Sequence, residues 1–568
     1  MASLLPLVGT LGLQRAKHLL NRATFGPTKA EIESFSQLTV DQAISALLVI
    51  PTTPPPPLDP ETNATWVVDG ADDNVNSPEW RLNGYVIAWW LQEAFDLPTP
   101  SLVQKMTFFL HTCFSTNMID LNSEDNYYTL SLFRQYALGS YQELARKISV
   151  DNAMMHYLDT RFSSRWAPNE NYPRELLEIF TIGKGPQIAP GNYTTYTEED
   201  IREAARILTG FRSNTDYADP GGFDPDTGLP TCTFNTGAHD NGDKEFTDAF
   251  ASTAFPSPPT IVGRNTESGM LEELDELIAM IFAQTATALN ITRKLYRFFV
   301  HYDITAEIET DIIIPLATQL QSNNYQLQGI LETLLKSEHF YDLSLANPDL
   351  AVSAARIKSP LELLVGAIRF FKVVTPDPAV DLELFYRNWH RDVLQNFFLQ
   401  EAGMPLLAPP NVAGYPAFHQ EPNYHRLWIS ANTLPFRYTF PQMLLSGTRV
   451  TTWGSLHMQL DPVAVATDPE LVPEVTGPDP YGGVVGTYAG GRFASHLVSS
   501  LVDYVFPNPI PQARFDYFLN DLLLDNLSPI NWRFEWVGFE ATGDDSSIRP
   551  RIEALIKGIM ESPEFQLG

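Results

Sequence analysis

The chain has 568 residues, of which 44% are hydrophobic and 18% are charged, so it can bury a substantial core and is not expected to be disordered. Its 37 basic and 68 acidic side chains give a formal net charge of −31 at pH 7. A surface this acidic repels phosphate backbones and anionic headgroups, which argues against nucleic-acid and membrane-surface partners and favours a soluble protein.

The N-terminal segment, residues 1–20, contains apolar side chains but no basic residue before Arg15, and proline and glycine interrupt its apolar run. This pattern does not fit a secretory signal. No apolar stretch reaches the roughly 18 residues that a membrane-crossing helix needs, so no transmembrane segment is predicted. Taken alone, the sequence therefore favours a cytoplasmic location.

Helix-start patterns recur along the chain. Residues 28–31 (Thr-Lys-Ala-Glu), 39–42 (Thr-Val-Asp-Gln) and 197–200 (Thr-Glu-Glu-Asp) each place a capping threonine ahead of an apolar-periodic run. Runs with strand-like alternation are few, which predicts a mainly α fold: a large, irregular multi-helix body with long Pro- and Gly-rich loops and little sheet. Further helices are predicted at 78–95, 102–115, 129–146, 270–284, 288–300, 306–322, 327–338, 360–373, 381–400 and 548–562.

Three irregular stretches separate the predicted helices: 51–63, 212–268 and 468–492. An irregular segment as long as 212–268 is usually functional or an insertion. We therefore predict a main helical body over 1–467 that contains this insertion, a Pro- and Gly-rich linker over 468–492, and a C-terminal helical segment over 493–568 packed on the main body.

The best-marked candidate site is the segment 168–178. Its first four residues, Pro168-Asn-Glu-Asn171, are typical of a turn that leads into a helix. Asn169 and Asn171 are predicted to bind backbone groups as caps, and Glu170 lies near the positive end of the helix. These residues are accordingly predicted to hold the start of the helix in place.

The three glutamates of this segment have two interpretations. Glu170, Glu175 and Glu178 form either a catalytic carboxylate cluster or part of a buried polar network that holds the loop on the helical core. In the second interpretation, Arg174 pairs with Glu178, one helical turn on, and Glu178 is partly buried.

His111 lies in the apolar run FFLHTCF, where a histidine is either a satisfied core residue or a ligand. As a ligand, it would join Glu175 and Glu178 around a divalent metal ion. The sequence otherwise leaves the cofactor unknown.

His239, Asp240 and Lys244 lie in the irregular stretch 212–268, where neither packing nor helical periodicity requires them. They form either an Asx-type turn with incidental charges or a functional group. In the functional interpretation, His239 and Asp240 fold over the Glu175 helix as an acid–base or ligand pair, and Lys244 contributes to binding.

Arg293, Lys294 and Arg297 form a basic group on an amphipathic stretch of an otherwise acidic chain. The first interpretation is that they pair with nearby carboxylates. The second is that they bind an anionic substrate or an acidic partner.

Several longer motifs are similar to one known family. They are RAKHLLNRATFGPTKAEI, MMHYLDTRFSSRWAPNENYPRELLEIFTIGKG, YTEEDIREAARILTGF, HDNGDKEF, ITRKLYRFFV, IKSPLELLVGAIRF and PPNVAGYP. Their order and spacing, from about Arg15 to the C-terminus, resemble the bacterial proteins grouped as domain of unknown function 1800, in particular Bacteroidota-type members. The sequence departs from the family pattern at Cys113, where many members have the second histidine of a His-x-His pair, and at Tyr415, where they have tryptophan.

The resemblance implies a bacterial protein that is exported, as many members look to be. It also implies a protein partner, since family genes often neighbour one for a protein resembling the alkaline phosphatase and sulfatase superfamily. The sequence contains no nucleophile elbow, phosphate-binding loop or zinc-protease motif. We therefore expect an interaction or scaffold protein that works with a co-encoded partner. The alternative is a metal-assisted hydrolase that uses Glu170, Glu175 and Glu178 with His111 or His239.

Overall fold

The computed structural model describes residues 3–67, 77–95, 99–214, 222–342, 356–387, 398–446, 450–451, 454–455, 458–479 and 484–568. The structure is 53% helical, well above the roughly one third of an average globular protein. This confirms the predicted mainly α fold. None of the described helices combines the length and the apolar character that crossing a bilayer requires.

The helices of the first half are, in chain order, α1 (Gly12–Ala23), α2 (Lys29–Ser36), α3 (Val40–Leu47), α4 (Glu79–Phe95), α5 (Val103–Cys113), α6 (Ser123–Gln135), α7 (Tyr141–Ile148), α8 (Asn152–Tyr157), α9 (Asn171–Glu175), α10 (Glu198–Ile207) and α11 (Glu267–Phe282). Those of the second half are α12 (Thr285–Phe299), α13 (Ala306–Ile308), α14 (Ile314–Ser322), α15 (Leu327–Lys336), α16 (Pro360–Phe370), α17 (Leu382–Tyr386), α18 (Pro416–His419), α19 (Leu434–Ser446), α20 (Pro462–Thr467), α21 (Ala494–Val505), α22 (Gln512–Asp516), α23 (Pro529–Thr542) and α24 (Arg549–Met560).

The described strands are short and form only two-stranded antiparallel sheets. They are β1 (Gln187–Ala189), β2 (Asn192–Tyr193), β3 (Phe211–Arg212), β4 (Thr233–Phe234), β5 (Lys244–Glu245), β6 (Thr260–Ile261), β7 (Val450–Thr451), β8 (Gly454–Ser455), β9 (Val475–Pro478) and β10 (Val485–Tyr488). Single π-helical segments follow α9, α13 and α22, at Leu176–Phe180, Glu309–Ile313 and Tyr517–Leu523.

The predicted capping boxes are present. Thr28, Thr39 and Thr197 each accept a hydrogen bond from the backbone of the third helical residue, whose side chain bonds back to the threonine N–H. The single helix predicted over 129–146 is wrong. It is two helices, α6 and α7, because the Ser140 hydroxyl caps a new helix start by accepting from the Glu143 N–H at 3.3 Å. Of the helix predicted over 381–400, α17 covers the start, and residues 388–397 lie outside the described residues.

A close backbone contact joins the turn after α1 to the middle of α16. Gly26 has a φ of +148°, and a Cβ built on it would lie 2.3 Å from Gly366 Cα. Gly26 therefore cannot carry a larger side chain here without moving the backbone, whereas a Cβ on Gly366 would lie at ordinary contact distance, 3.6 Å from the Phe25 carbonyl oxygen. The contact fixes α1 against α16, whose first turn carries Glu362.

The C-terminal residues contact the N-terminal helices through buried lysines. Lys17 Nζ donates to the Asp503 carbonyl at 2.7 Å, and Lys29 Nζ donates to the Leu471 carbonyl at 2.7 Å. Within the stretch predicted as a linker, β9 and β10 form a hairpin. The division into a main body, a linker and a C-terminal segment stays a prediction.

Candidate functional site

A short loop, residues 160–167, precedes the segment 168–178, and we call it the aromatic loop. Its backbone is fixed to neighbouring structure. The Arg165 N–H donates to the Ala238 carbonyl at 2.7 Å, and the Ser163 carbonyl accepts from the Gly210 N–H at 3.1 Å. Because both partners come from the stretch after α10, the loop is held at two points rather than left free.

Two aromatic side chains of this loop face solvent. Phe162 is 68% exposed and Trp166 is 72% exposed. The Arg161 guanidinium lies 4.6 Å from the Phe162 ring centroid, and the Arg165 guanidinium lies 4.5 Å from that of Trp166. Among the described residues, no carboxylate forms an ion pair with either arginine. The loop therefore presents two aromatic rings and two uncompensated cations on an acidic protein.

Asn169 connects the aromatic loop to the start of α9. Its N–H donates to Ser163 Oγ at 3.1 Å, its Nδ2 donates to the Asp159 carbonyl at 3.2 Å, and its Oδ1 accepts from the Asn171 N–H at 2.8 Å. The N-cap residue of α9 is Glu170, whose side chain makes no capping bond, so Asn169 supports the turn before the helix rather than capping it. Asn171, by contrast, contributes its backbone N–H to this arrangement.

Arg174 pairs with two carboxylates, neither of which is Glu178. Its two terminal nitrogens donate to Glu198 at 2.7 and 2.9 Å, and one of them also donates to Glu170 at 3.1 Å. The predicted Arg174–Glu178 pair is therefore wrong. Two features account for this: Glu198, at the start of α10, offers a bidentate partner, and the π-helical turn from Leu176 changes the spacing of the residues after α9.

Glu178 is partly buried, as predicted, with 21% of its side chain exposed. Its partners are the Lys184 ammonium and the Tyr196 hydroxyl, which donates to Glu178 Oε2 at 3.3 Å. The Glu178 carboxylate is thus already neutralised by a cation from the loop that follows the π-helical turn.

The Glu175 carboxyl group has a raised pKa. Burial raises its pKa to about 7, repulsion from Glu178 acts in the same direction, and Lys184 and Arg174 oppose it. Its Oε2 is buried and has no hydrogen-bond partner in the part of the chain that the structure describes. A carboxyl group that exchanges its proton near neutral pH has the property required of a general acid or base.

The raised pKa of Glu175 should be visible in how the stability of the protein changes with pH. Since the pKa of Glu175 is raised, its protonated form stabilises the fold below the unfolded-state pKa of about 4.3, and that contribution is lost progressively as the pH rises to about 7. We expect the melting temperature of the wild type to fall relative to that of Glu175→Gln as the pH rises through this range. At higher pH the difference between the two melting temperatures should stay constant. Melting curves of both proteins from about pH 3.5 to about pH 8.5, a range that spans both pKa values, measure the difference. A constant gap throughout would contradict the assignment.

His111 is fully buried near the end of α5, with its ring edge-on to Phe133 at a centroid distance of 6.2 Å. Burial lowers its pKa to about 4, and the Thr116 backbone opposes this without forming a well-aligned hydrogen bond to either ring nitrogen. Within the described ranges, no three His, Cys, Asp or Glu side chains are arranged to hold a metal ion. His111, Glu175 and Glu178 are thus not brought together as one ligand set.

His239 lies in a buried polar network rather than over the Glu175 helix. Its Nδ1 lies 2.7 Å from the Thr209 carbonyl oxygen, and its Nε2 lies 3.2 Å from Glu273 Oε1. Lys244 Nζ donates to Glu273 Oε2 and to the Asp240 carbonyl. The side chains of His239, Lys244 and Glu273 are all 0% exposed, so His239 belongs to a set of mutually satisfied core groups with Lys244 and Glu273.

The Asp240 carboxylate points to a different partner. It accepts from Arg206 Nε at 2.9 Å and from Arg206 Nη2 at 3.1 Å, and it also accepts from the Gly242 N–H at 3.0 Å. The last bond is the Asx-type turn of the structural interpretation. Asp240 and His239 therefore face separate partners.

The basic group on α12 is also engaged. Arg293 Nε donates to Glu309 Oε2 at 3.1 Å, and Lys294 Nζ donates to the Ile179 carbonyl at the end of the π-helical turn. Burial lowers the pKa of Lys294. Arg293 therefore pairs with a carboxylate, as does Arg297 with Glu421 at 3.7 Å, whereas Lys294 supports the backbone next to Glu178.

A family model described as a protein of unknown function (DUF1800) matches residues 18–567. The chain belongs to this family. Comparisons with curated proteins and with solved structures give no match. The site of this DUF1800 protein must therefore be judged from its own geometry.

Sequence reasoning missed the residues that complete this region of the DUF1800 protein. Glu273 is the partner of His239. It lies three residues after Met270 and four before Leu277, on the apolar face of α11, which marks it as a buried carboxylate but does not identify its partner. No sequence pattern predicted that Phe162 and Trp166 would be exposed. Aromatic residues in an irregular stretch are usually assigned to the core.

Proposed function

We propose that this DUF1800 protein is an interaction protein that binds a protein partner through the aromatic loop. Three properties of the aromatic loop support its role as a contact surface. Phe162 and Trp166 are exposed at 68% and 72%, the loop backbone is fixed, and Arg161 and Arg165 carry charge that no described carboxylate neutralises. Aromatic residues and arginine dominate the binding energy of protein interfaces, especially where the free surface is already ordered.

The pairing of the other candidate residues favours this function over catalysis. Glu170 and Glu178 are bonded to Arg174 and Lys184 respectively, and His239 is enclosed with Glu273. Arg161 and Arg165 suit a partner with apolar pockets rimmed by carboxylates. The resemblance to Bacteroidota-type members supplies the first protein to test, the alkaline phosphatase- or sulfatase-like product of the neighbouring gene, in an exported pair.

The test is a binding titration of that protein against purified full-length chain. We expect Phe162→Ala and Trp166→Ala each to raise the dissociation constant by about 30-fold, since hot-spot truncations cost about 2 kcal/mol or more of binding free energy. Melting temperatures should not change, because both side chains are exposed.

Phe534→Ala is the matched control. Phe534 is 60% exposed and lies 5.4 Å from the Arg533 guanidinium, but Arg533 is neutralised by Asp479 at 2.7 Å. This variant should bind as the wild type does. Equal weakening in all three variants, or no binding by the wild type, would remove the support for the aromatic loop as the interface.

A hydrolase remains the second candidate because of two observations on Glu175: its pKa is raised, and its buried Oε2 has no hydrogen-bond partner among the described residues. In this function Glu175 donates the proton to the leaving group. A panel of chromogenic esters, phosphate esters and glycosides, with and without divalent metals, tests it. Hydrolysis that is lost in Glu175→Gln but retained in Glu170→Gln would favour the enzyme.

A further inference from the structure

An open groove lies over α7, and its empty volume is about 1420 Å³. It is lined by α7, by the first half of α11, by the residue that follows α6 and by part of the stretch 223–234. None of these residues belongs to the aromatic loop or to the segment 168–178. Pockets for small molecules usually hold about 300–1,000 Å³, so an open space of this size suits a peptide segment better.

One wall of the groove is a loop that its own hydrogen bonds hold in shape. The Thr231 N–H donates to the Gly222 carbonyl at 2.8 Å and closes the loop. Inside it, the Asp224 N–H donates to the Leu229 carbonyl at 2.8 Å, and Asp224 Oδ1 accepts from the Asp226 N–H at 3.0 Å. The wall therefore has a defined shape without a ligand.

The cations of the described lining join the walls of the groove to one another. Lys147 Nζ donates to Asp224 Oδ2 at 2.6 Å and to Asp226 Oδ2 at 2.9 Å, which ties α7 to the loop. Arg146 Nε donates to Asp275 Oδ1 at 2.9 Å, which ties α7 to α11. The groove is therefore formed in advance, and a ligand that enters it does not have to order its walls.

Three carboxylates of the groove remain open to solvent. The side chains of Asp226 and Asp275 are 76% and 56% exposed, although each contacts a cation on one side. Glu143, in the first turn of α7, is exposed, and no cation among the described residues forms an ion pair with it. These three side chains give the open side of the groove a negative potential.

The rest of the chain does not supply a cation to neutralise them. Outside the described ranges the sequence has no lysine and two arginines, Arg391 and Arg449. Arg391 follows α17, and Arg449 lies between α19 and β7, none of which lines the groove. Residues 215–221, which precede the loop in the sequence, contain two aspartates and no basic residue.

Apolar side chains lie beside the carboxylates. Tyr136, Phe223 and Phe234 line the groove, and all three are half-buried. A lysine or arginine side chain fits such a mixture, because its charged end pairs with a carboxylate while its stem or guanidinium packs on an aromatic ring. An acidic side chain would instead meet like charge. The groove is thus complementary to basic residues that lie next to apolar ones.

We propose that this groove binds a peptide segment of a partner protein, in which lysine or arginine residues lie next to apolar side chains. The basic side chains pair with Glu143, Asp226 and Asp275, and the apolar ones pack on Tyr136 and Phe223. This surface is additional to the aromatic loop, with which it shares no residue. Its ligand binding does not depend on the function proposed for that loop.

The first experiment is a selection from a displayed library of random heptapeptides on the purified full-length protein. We expect the retained peptides to be enriched both in lysine or arginine and in aromatic or aliphatic residues. A fluorescent copy of the best peptide then gives a dissociation constant at about 0.15 M salt, where attraction between exposed charges is screened beyond about 8 Å.

Two further peptides separate the contributions to binding. The first replaces each lysine by acetyl-lysine and each arginine by citrulline, and it should bind about 10-fold more weakly because the charged hydrogen bonds are lost. The second is heptalysine, which keeps the charge but has no apolar side chains, and it should also bind about 10-fold more weakly.

Variants then locate the site. Tyr136→Ala should raise the dissociation constant by about 10-fold, whereas Tyr136→Phe keeps the ring and should bind nearly as the wild type does. Glu143→Gln should raise it by about 5-fold, the effect of one exposed ion pair. Glu272→Gln is the matched control: Glu272 follows the groove residue Leu271 on α11, is 60% exposed and pairs with Arg264 at 3.0 Å. This variant should bind as the wild type does.

Three results would overturn the proposal. The first is a selection that retains no peptide or peptides without a preference for basic residues. The second is heptalysine that binds as tightly as the selected peptide, which would show general attraction to an acidic surface. The third is unchanged binding in Glu143→Gln and Tyr136→Ala. If Trp166→Ala alone weakens the peptide, the aromatic loop holds it, which supports the function proposed for that loop and removes the groove.

Discussion

Glu273→Ala is expected to lower the free energy of unfolding by about 3–5 kcal/mol, the usual cost of removing one partner from a buried ionic network. The Glu273 side chain is 0% exposed, and its Oε2 accepts from Lys244. Its Oε1 accepts from the Arg264 N–H at 2.5 Å and lies 3.2 Å from His239 Nε2. Alanine would leave the Lys244 ammonium without a counter-charge in the core.

Urea unfolding measures this effect, and Glu276→Ala is the matched control. Glu276 lies on α11 as well and pairs with the Arg264 side chain, but 38% of its side chain is exposed. Exposed pairs contribute about 0–1 kcal/mol, so this variant should be close to the wild type. Similar losses in the two variants would show that the network around His239 does not stabilise the core as the geometry indicates.

The same network shows where sequence reasoning succeeds and where it stops. His239 and Lys244 could be selected from the sequence, since residues of that kind have no packing reason to occur in an irregular stretch. Their partner could not be selected with them, because Glu273 lies beyond the stretch and is one of several acidic residues at the start of α11. Pairing between distant segments depends on tertiary packing, which local spacing does not encode.

Local patterns predicted the secondary structure better. The threonine capping boxes were found because all their atoms lie within four consecutive residues. The segment 168–178 was harder, although it is equally local. A π-helical turn follows Glu175, and the i, i+4 rule that paired Arg174 with Glu178 holds for a regular α-helix only.

Glu362→Gln is the second substitution with a large expected effect, about 3–5 kcal/mol of unfolding free energy. Glu362 Oε1 accepts from Lys105 and Arg356, while Oε2 accepts from the Ser359 N–H at 2.8 Å and from Ser359 Oγ at 3.0 Å. All of these partners donate. The amide nitrogen of glutamine is itself a donor, so it would face either Lys105 and Arg356 or the two donors of Ser359. The negative charge that balances Lys105 and Arg356 would also be lost.

Ser359→Ala separates the charge from the helix cap. Ser359 Oγ accepts from the Glu362 N–H at 3.3 Å and caps α16, and losing such a cap costs about 1 kcal/mol. The excess loss in Glu362→Gln then measures the buried ion pairs. Equal losses in the two variants would mean that Glu362 acts as a capping residue and that its charge contributes little.

The stability difference between the wild type and Glu362→Gln should depend on pH through the pKa of Glu362. Burial alone would raise the pKa of Glu362, but Arg356 and Lys105 outweigh burial and hold the pKa well below its usual range. A depressed pKa stabilises the fold above the unfolded-state value of about 4.3, and the contribution is lost as the pH falls below that value. The stability gap between wild type and Glu362→Gln should therefore be constant from about pH 8 to about pH 5 and should narrow in more acidic solution. Urea unfolding of both proteins across this range measures the gap. A gap that widens on acidification would show that Glu362 is protonated in the folded protein and that its two cations are balanced by another group.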